Sequence, residues 1–221
     1  MSRSASPQAV LFDLDGTLAD SAPDLVAALA TLCGELGRAE PDPVRVSRVV
    51  SAGGRAILRC GLPDLDEAGI EELLPRYLAL YSARGNVSTR LYPGIAEVLF
   101  DLDARGIAWG IVTNKAGWLA APMLDQLDLA LRCGALVSGD TLSERKPHPA
   151  PVLHACALMK VDPERTLFVG DDLRDIEAGR AAGTRTVAAA WGYLNGGDPH
   201  AWGADRVAES VAALPASLRL D

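Results

Sequence analysis

Two carboxylates one residue apart, Asp13 and Asp15, close the apolar stretch Val10-Leu11-Phe12, and the chain then turns at Gly16. The apolar run reads as a buried strand. Side chains alternate along a strand, so Asp13 and Asp15 are expected to leave its end on the same side. Paired buried carboxylates are costly unless a cation neutralises them. The pair therefore points to a metal-assisted site for a phosphorylated ligand. Three further segments set reactive polar residues directly after apolar runs: Thr113-Asn114-Lys115, Lys146-Pro147-His148-Pro149 and Gly170-Asp171-Asp172-Leu173-Arg174-Asp175. Ligands of open parallel sheets bind outside the carboxyl ends of the strands, so all four segments should converge on one crevice.

The elements that must position these groups follow from hydrophobic pattern. Apolar runs over 9–13, 108–113, 135–138, 166–170 and 185–189 read as strands. Helical periodicity fills 95–105, 118–127, 151–160 and 175–182, and 205–207 reads as an edge strand before a final helix. Alternation of this kind predicts an α/β fold with a parallel sheet. Between 21 and about 90 the pattern is helical throughout, broken by Gly53-Gly54, Gly61 and Pro63. There Ile70, Leu73, Leu74, Tyr77, Leu78 and Tyr81 form one apolar stripe. An all-helical insert is expected, opened by Asp20 or Ser21 as a helix cap with Pro23 in the first turn. Tyr92-Pro93-Gly94 marks the return to the core.

A chain of 221 residues accommodates a core domain carrying a smaller one. Its formal charge of −8 argues against general binding to nucleic acid or anionic membrane, which attract basic proteins. No apolar run approaches a membrane span, and residues 1–8 are polar without a secretory pattern, so a cytoplasmic location is expected. Cys33, Cys60, Cys133 and Cys156 include no Cys-x-x-Cys pair, which fits reduced thiols better than a zinc site or a disulfide framework.

Taken in order, the four segments resemble the motif set of the haloacid dehalogenase superfamily of phosphatases: Asp-x-Asp-x-Thr, a Thr or Ser, a Lys, then Gly-Asp-x-x-x-Asp. The resemblance covers nearly the whole chain. It implies a three-layer, Rossmann-like parallel-sheet core over 1–20 and 91–221, with a helical cap domain over 21–90. Asp13-Leu14-Asp15-Gly16-Thr17-Leu18, Val112-Thr113-Asn114-Lys115 and Lys146-Pro147-His148-Pro149 look like the phosphoglycolate phosphatases. The segment from Phe168 to Arg180 and the tail Trp191-Gly192-Tyr193 look closer to the N-acetylmuramic acid 6-phosphate phosphatases. Phosphoglycolate enzymes often carry Gly-Asp-Ser where this chain has Gly170-Asp171-Asp172.

The resemblance implies that Asp13 attacks phosphorus and that Asp15 protonates the leaving oxygen. It places Mg²⁺ on the Asp13 and Asp171 carboxylates and the Asp15 backbone carbonyl, an all-oxygen set that suits magnesium. Lys146 would offset the collected negative charge, Thr113 and the Asn114 N–H would hold the transferring oxygens, and Asp175 would orient Lys146 or a metal-bound water. Arg55, after Gly53-Gly54, is a candidate clamp for a substrate anion, its alternative being an ordinary exposed helix-start arginine. Asp172 either faces the site or caps the next helix, His148 shapes its loop, and Trp118, Trp191 and Trp202 are read as packing residues. The partner is a small phosphorylated metabolite; monomer and dimer both stay open. A phosphomutase is the competing enzyme, although mutases tend to carry Glu-Asp at the fourth motif. A non-catalytic binding protein fits poorly with so many reactive groups retained.

Overall fold

The computed structural model describes residues 7–218; of the polar start at 1–8, residues 1–6 lie outside that range. The chain opens with β1 (Ala9–Phe12), a short β2 (Ala19–Asp20) and four helices, α1 (Ala22–Glu35), α2 (Pro43–Ser47), α3 (Gly54–Gly61) and α4 (Glu67–Arg84). It returns through β3 (Arg90–Leu91), then α5 (Ile95–Ala104), β4 (Ala108–Val112), α6 (Gly117–Gln126), β5 (Leu136–Val137) and α7 (Ala150–Met159). It ends with β6 (Thr166–Gly170), α8 (Leu173–Ala181), β7 (Arg185–Ala189), β8 (Arg206–Ala208) and α9 (Leu214–Leu218).

Six strands form one parallel sheet in the order β5-β4-β1-β6-β7-β8. Strands β1 and β6 are buried along their whole length, as expected of central strands covered on both faces. From β1 the chain winds outward through β4 and β5, then crosses back to β6 and winds the other way. Strand order therefore reverses between β1 and β6, the switch point at which such sheets bind ligands. The register sets Phe12 opposite Val169 and Ile111. The loops after β1, β4 and β6 consequently leave the sheet at one level.

The two-stranded β2–β3 ribbon connects the core to the helical insert on both passes of the chain. Within the insert α1 packs along α4, burying Leu25, Ala28, Leu29 and Leu32 with Ile70, Tyr77 and Tyr81. The apolar cluster is continuous from these side chains into Val10, Phe12, Leu99 and Ile111 of the core. Asp24, fully buried on α1, ties the insert to its exit. Arg84 Nε donates to Oδ1 at 2.8 Å, while Ser88 N, Thr89 N and Thr89 Oγ1 reach Oδ2 at 2.8, 2.7 and 2.8 Å.

The structure corrects several sequence readings. Strand β1 stops at Phe12, so Asp13 already belongs to the loop, and β5 is only two residues long. Helix α8 starts at Leu173, before the expected 175, because Asp172 is its N-cap and forms a reciprocal capping box with Asp175. Trp118 is not a core residue: it stands 52 % exposed at the start of α6, whereas Trp202 is buried. Among the described residues no helix is long and apolar enough to cross a membrane.

Candidate active site

The loop after β1 holds both aspartates, and the turn that follows them requires glycine. Gly16 has φ +86°, and a Cβ there would lie 2.2 Å from Asp171 Oδ2. The Asp13 N–H continues the sheet by donating to Val169 O at 2.9 Å. Its carboxylate is buried beside Lys146, whose Nζ lies 2.8 Å from Asp13 Oδ1, 2.7 Å from Asp175 Oδ1 and 2.7 Å from Val112 O. Burial pulls that ammonium down, but the charges of Asp13 and Asp175 outweigh it and hold it above its ordinary value. The Lys146–Pro147 peptide is cis. Asn114 fixes the same loop: its Nδ2 donates to Lys146 O at 2.9 Å and its Oδ1 accepts from Lys146 N at 3.0 Å.

Asp171 follows β6 and is fully buried. Thr17 Oγ1 donates to its Oδ1 at 2.9 Å, and Ser51 Oγ and Tyr193 N donate to Oδ2, each at 2.9 Å. Burial, helped by the nearby Asp13 charge, pushes this carboxyl up to about 7. Asp175 is driven well above the usual carboxylate range by burial, with the Lys146 charge opposing. Gly170 makes this crowding possible, since a Cβ there would come within 2.2 Å of Asp175 Oδ2.

Asp13, Asp171 and Asp175 each offer one carboxylate oxygen within 4.8 Å of one another. Three buried carboxylates with one ammonium leave negative charge uncompensated. Asp13 Oδ1 is buried and accepts no hydrogen bond, although the Lys146 ammonium faces it as an ion pair at 2.8 Å. An oxygen-only, electron-rich pocket with an orphaned carboxylate oxygen fits a hard divalent cation. Two of these carboxylates, Asp13 and Asp171, belong to the expected ligand set, whose third member was the Asp15 backbone carbonyl. Asp175 stands beside them, and the Asp15 side chain lies outside the cluster.

Asp15 has its own partners. Ser21 Oγ donates to Oδ1, and Lys115 Nζ lies 3.1 and 3.3 Å from Oδ1 and Oδ2. Ser21 is thus the N-cap residue of α1 by position, but its hydroxyl serves Asp15 rather than the helix. The α1 amides turn elsewhere: Tyr193 Oη accepts from Ser21 N and Ala22 N at 2.9 Å each and donates to Asp20 Oδ1 at 2.7 Å.

Asp13, Asp15, Thr113, Asn114, Lys146 and Asp175 all line one cavity of about 450 Å³ between core and insert. Its far wall comes from the insert and includes Leu25, Val50, Ile57, Leu74 and Tyr81. Thr113 is buried, and its Oγ1 accepts from Lys115 N at 3.2 Å. Arg55 reaches the cavity rim, but its Nε and Nη2 are given to Glu71. Asp172 both caps α8 and lines the cavity, with Arg174 on its Oδ1 at 2.7 Å and Asn195 on its Oδ2 at 2.6 Å. His148 stays in its loop, accepting from Ala150 N through Nδ1 at 3.2 Å. Sequence reasoning gave no role to Lys115, Ser51 or Tyr193. Their partners lie 100, 120 and 22 residues away, so no local spacing announces them.

Known proteins are similar to this chain in sequence and, where solved, in fold. A phosphoglycolate phosphatase of Xanthomonas campestris pv. campestris is 46 % identical over 209 residues, covering 94 % of this chain and 95 % of its own. An N-acetylmuramic acid 6-phosphate phosphatase of Pseudomonas aeruginosa is 43 % identical over 209 residues, covering 94 % and 92 %. A crystal structure described as a predicted phosphoglycolate phosphatase of Haemophilus somnus superposes with a TM-score of 0.86 at 26 % identity, covering 97 % of this chain and 99 % of its own. The model of the haloacid dehalogenase-like hydrolases matches residues 10–189, the span from β1 to the end of β7, and the chain belongs to that family.

Proposed function

We propose that the protein is a Mg²⁺-dependent phosphomonoesterase that transfers a phosphoryl group from a small metabolite to Asp13 and then to water. The observation that carries this reading is the sorting of the two loop aspartates. Asp13 sits in the buried cluster with Asp171, Asp175 and Lys146, while Asp15 stands apart on Ser21 and Lys115. A nucleophile and a proton carrier need such separate surroundings on one cavity.

In the first step an Asp13 oxygen attacks phosphorus, the bond to the leaving oxygen breaks, and Asp15 gives that oxygen its proton. In the second, Asp15 takes a proton from water, the water oxygen attacks phosphorus, and Asp13 is released with inorganic phosphate. Mg²⁺ on the Asp13 and Asp171 carboxylates and the Asp15 carbonyl would supply the positive charge that lets two anions approach. Lys146 adds one more charge. Two unit charges ~4 Å apart interact by roughly 4 kcal/mol at an effective dielectric near 20, so its removal is expected to slow attack severely. Asp175 orients the ammonium, the Thr113 hydroxyl and Asn114 N–H hold the transferring oxygens, and Arg55 stands at the rim toward the rest of the substrate.

Residues 21–90 act as a cap over the core formed by 1–20 and 91–221, and a cytoplasmic phosphorylated metabolite is the substrate. Phosphoglycolate, which the Xanthomonas relative is named for, is the leading choice. The cavity favours a second reading. Pockets of roughly 300–1,000 Å³ hold drug-sized ligands, so about 450 Å³ with an apolar insert wall leaves room for a substituted sugar phosphate. Phosphate release from phosphoglycolate and from N-acetylmuramic acid 6-phosphate, assayed side by side with Mg²⁺ and with EDTA, tests both readings. Release from neither substrate, nor from a generic aryl phosphate, would remove the phosphatase assignment.

A further inference from the structure

Each loop aspartate has its own lysine, and the two lysines differ in what surrounds them. Lys146 is enclosed by core groups alone: Asp13, Asp175, Val112 O and the Phe168 ring, whose centroid is 5.5 Å from Nζ. Lys115 comes from the loop after β4, yet its ammonium is closed off by the insert. Tyr81 Oη on α4 accepts from Nζ at 3.0 Å, and the Tyr81 ring centroid lies 4.6 Å away. Tyr81 Oη in turn donates to Asn86 Oδ1 at 3.1 Å, and Asn86 O accepts from Gln126 Nε2 of α6 at 2.6 Å. The Lys115 side chain is only 7 % exposed and Tyr81 2 %, so the line from α4 to Asp15 is buried and fully hydrogen-bonded.

A buried ammonium is expensive to desolvate, and its pair with Asp15 does not by itself make it a gain in stability. Packing offers no reason for it either, since an apolar side chain could cover the Tyr81 ring. What Lys115 does supply is direction. It holds both oxygens of a carboxylate that, among the described residues, otherwise accepts a side-chain hydrogen bond from Ser21 alone. A proton donor misplaced by about 1 Å loses a large part of its effect.

We propose that Lys115 is a positioning residue for Asp15 and that Tyr81 of the insert completes it, so the leaving-group proton donor is aligned from the insert side while the nucleophile is aligned from the core. This rests on the reading of Asp15 as the acid that protonates the leaving oxygen. It predicts an effect confined to the step in which that oxygen departs. An alkyl leaving group needs the proton, whereas p-nitrophenolate leaves without it.

The test compares the full-length Mg²⁺-loaded wild type with Lys115→Met, Lys115→Arg and Tyr81→Phe on glycerol 3-phosphate and on p-nitrophenyl phosphate. Lys115→Met is expected to lower kcat/KM about 100-fold on the alkyl ester, the lower range of general-acid effects, and only a few-fold on the aryl ester. Lys115→Arg is expected to recover most of that difference. Tyr81→Phe keeps the ring and removes one hydrogen bond, so it should shift the alkyl-to-aryl ratio the same way by about fivefold. Equal losses on both esters, in Lys115→Met or in Tyr81→Phe if the lysine variant does not fold, would overturn the proposal. The wild type separates this outcome from failure of the underlying reading: a steep fall in rate with leaving-group basicity in the unaltered enzyme would mean that Asp15 donates no proton.

Discussion

The core side of the cavity and the insert side are held by different interactions. On the core side the ion pairs are buried, with Lys146 3 % and Asp175 1 % exposed, and their removal leaves a charge without water. On the insert side Arg38–Asp64, Arg55–Glu71, Arg59–Glu67 and Arg76–Glu35 lie in solvent, where such pairs contribute little. The exception is the Asp24–Arg84 clasp, in which the carboxylate is fully buried although the guanidinium reaches solvent. The contrast sets the buried charges on the core side, where each is held by several partners, and leaves the outer ion pairs of the insert in water.

Breaking the core side should have the largest effect. Asp13→Asn keeps the shape but makes a poor nucleophile and a poor metal ligand, so turnover is expected to fall by at least about 10³-fold in a steady-state phosphate assay. Chelation acts on the same side. EDTA should silence hydrolysis and Mg²⁺ should restore it, and persistence of full activity after dialysis against EDTA would contradict the cation's role.

The clasp in the insert carries stability rather than chemistry. Asp24→Ala leaves Thr89 and Arg84 without their acceptor and is expected to destabilise the protein by about 3 kcal/mol in urea unfolding. Burial alone would raise the Asp24 carboxyl, but Arg84, Thr89 and Ser88 outweigh it and hold it below its ordinary value. A carboxylate depressed in the folded state contributes stability above its unfolded value of about 3.9 and loses it as pH falls through the folded value. Acid unfolding below about pH 4 should therefore be less steep in Asp24→Asn than in the wild type. Unchanged steepness would remove Asp24 from the acid response. The smallest effect belongs to Arg55, already engaged by Glu71: Arg55→Ala should raise KM about two- to threefold, consistent with an exposed pair. A hundredfold rise would make it a principal substrate clamp.

Much of the core was legible because burial on both faces leaves a plain mark. The runs Val10-Leu11-Phe12 and Leu167-Phe168-Val169 could be little else than central strands, and chemistry placed after them lies at the strand ends by construction. The loop beyond β5 was readable too, although that strand is too short to be sized from pattern. The insert was legible as helix and no further. Its stripe gave the buried face of α4, but nothing in the sequence placed Tyr81 over Lys115 or Ser51 on Asp171. Asn114 shows the same limit: its place beside Thr113 marked it for the site, but the amide that clamps Lys146 needs two loops 32 residues apart. Of the two cap candidates, Asp20 does accept from Ala22 N through Oδ1 at 3.3 Å, whereas the Ser21 hydroxyl, which has a local partner available, goes to the Asp15 carboxylate instead.

The central claim is covalent: phosphorus passes through Asp13. Rapid acid quench during turnover, followed by peptide mass spectrometry, addresses it directly. A phosphoryl adduct should appear on Asp13 within one turnover, and the wild type should retain beryllium fluoride at that carboxylate. An adduct elsewhere, or none while hydrolysis runs at full rate, would contradict the account.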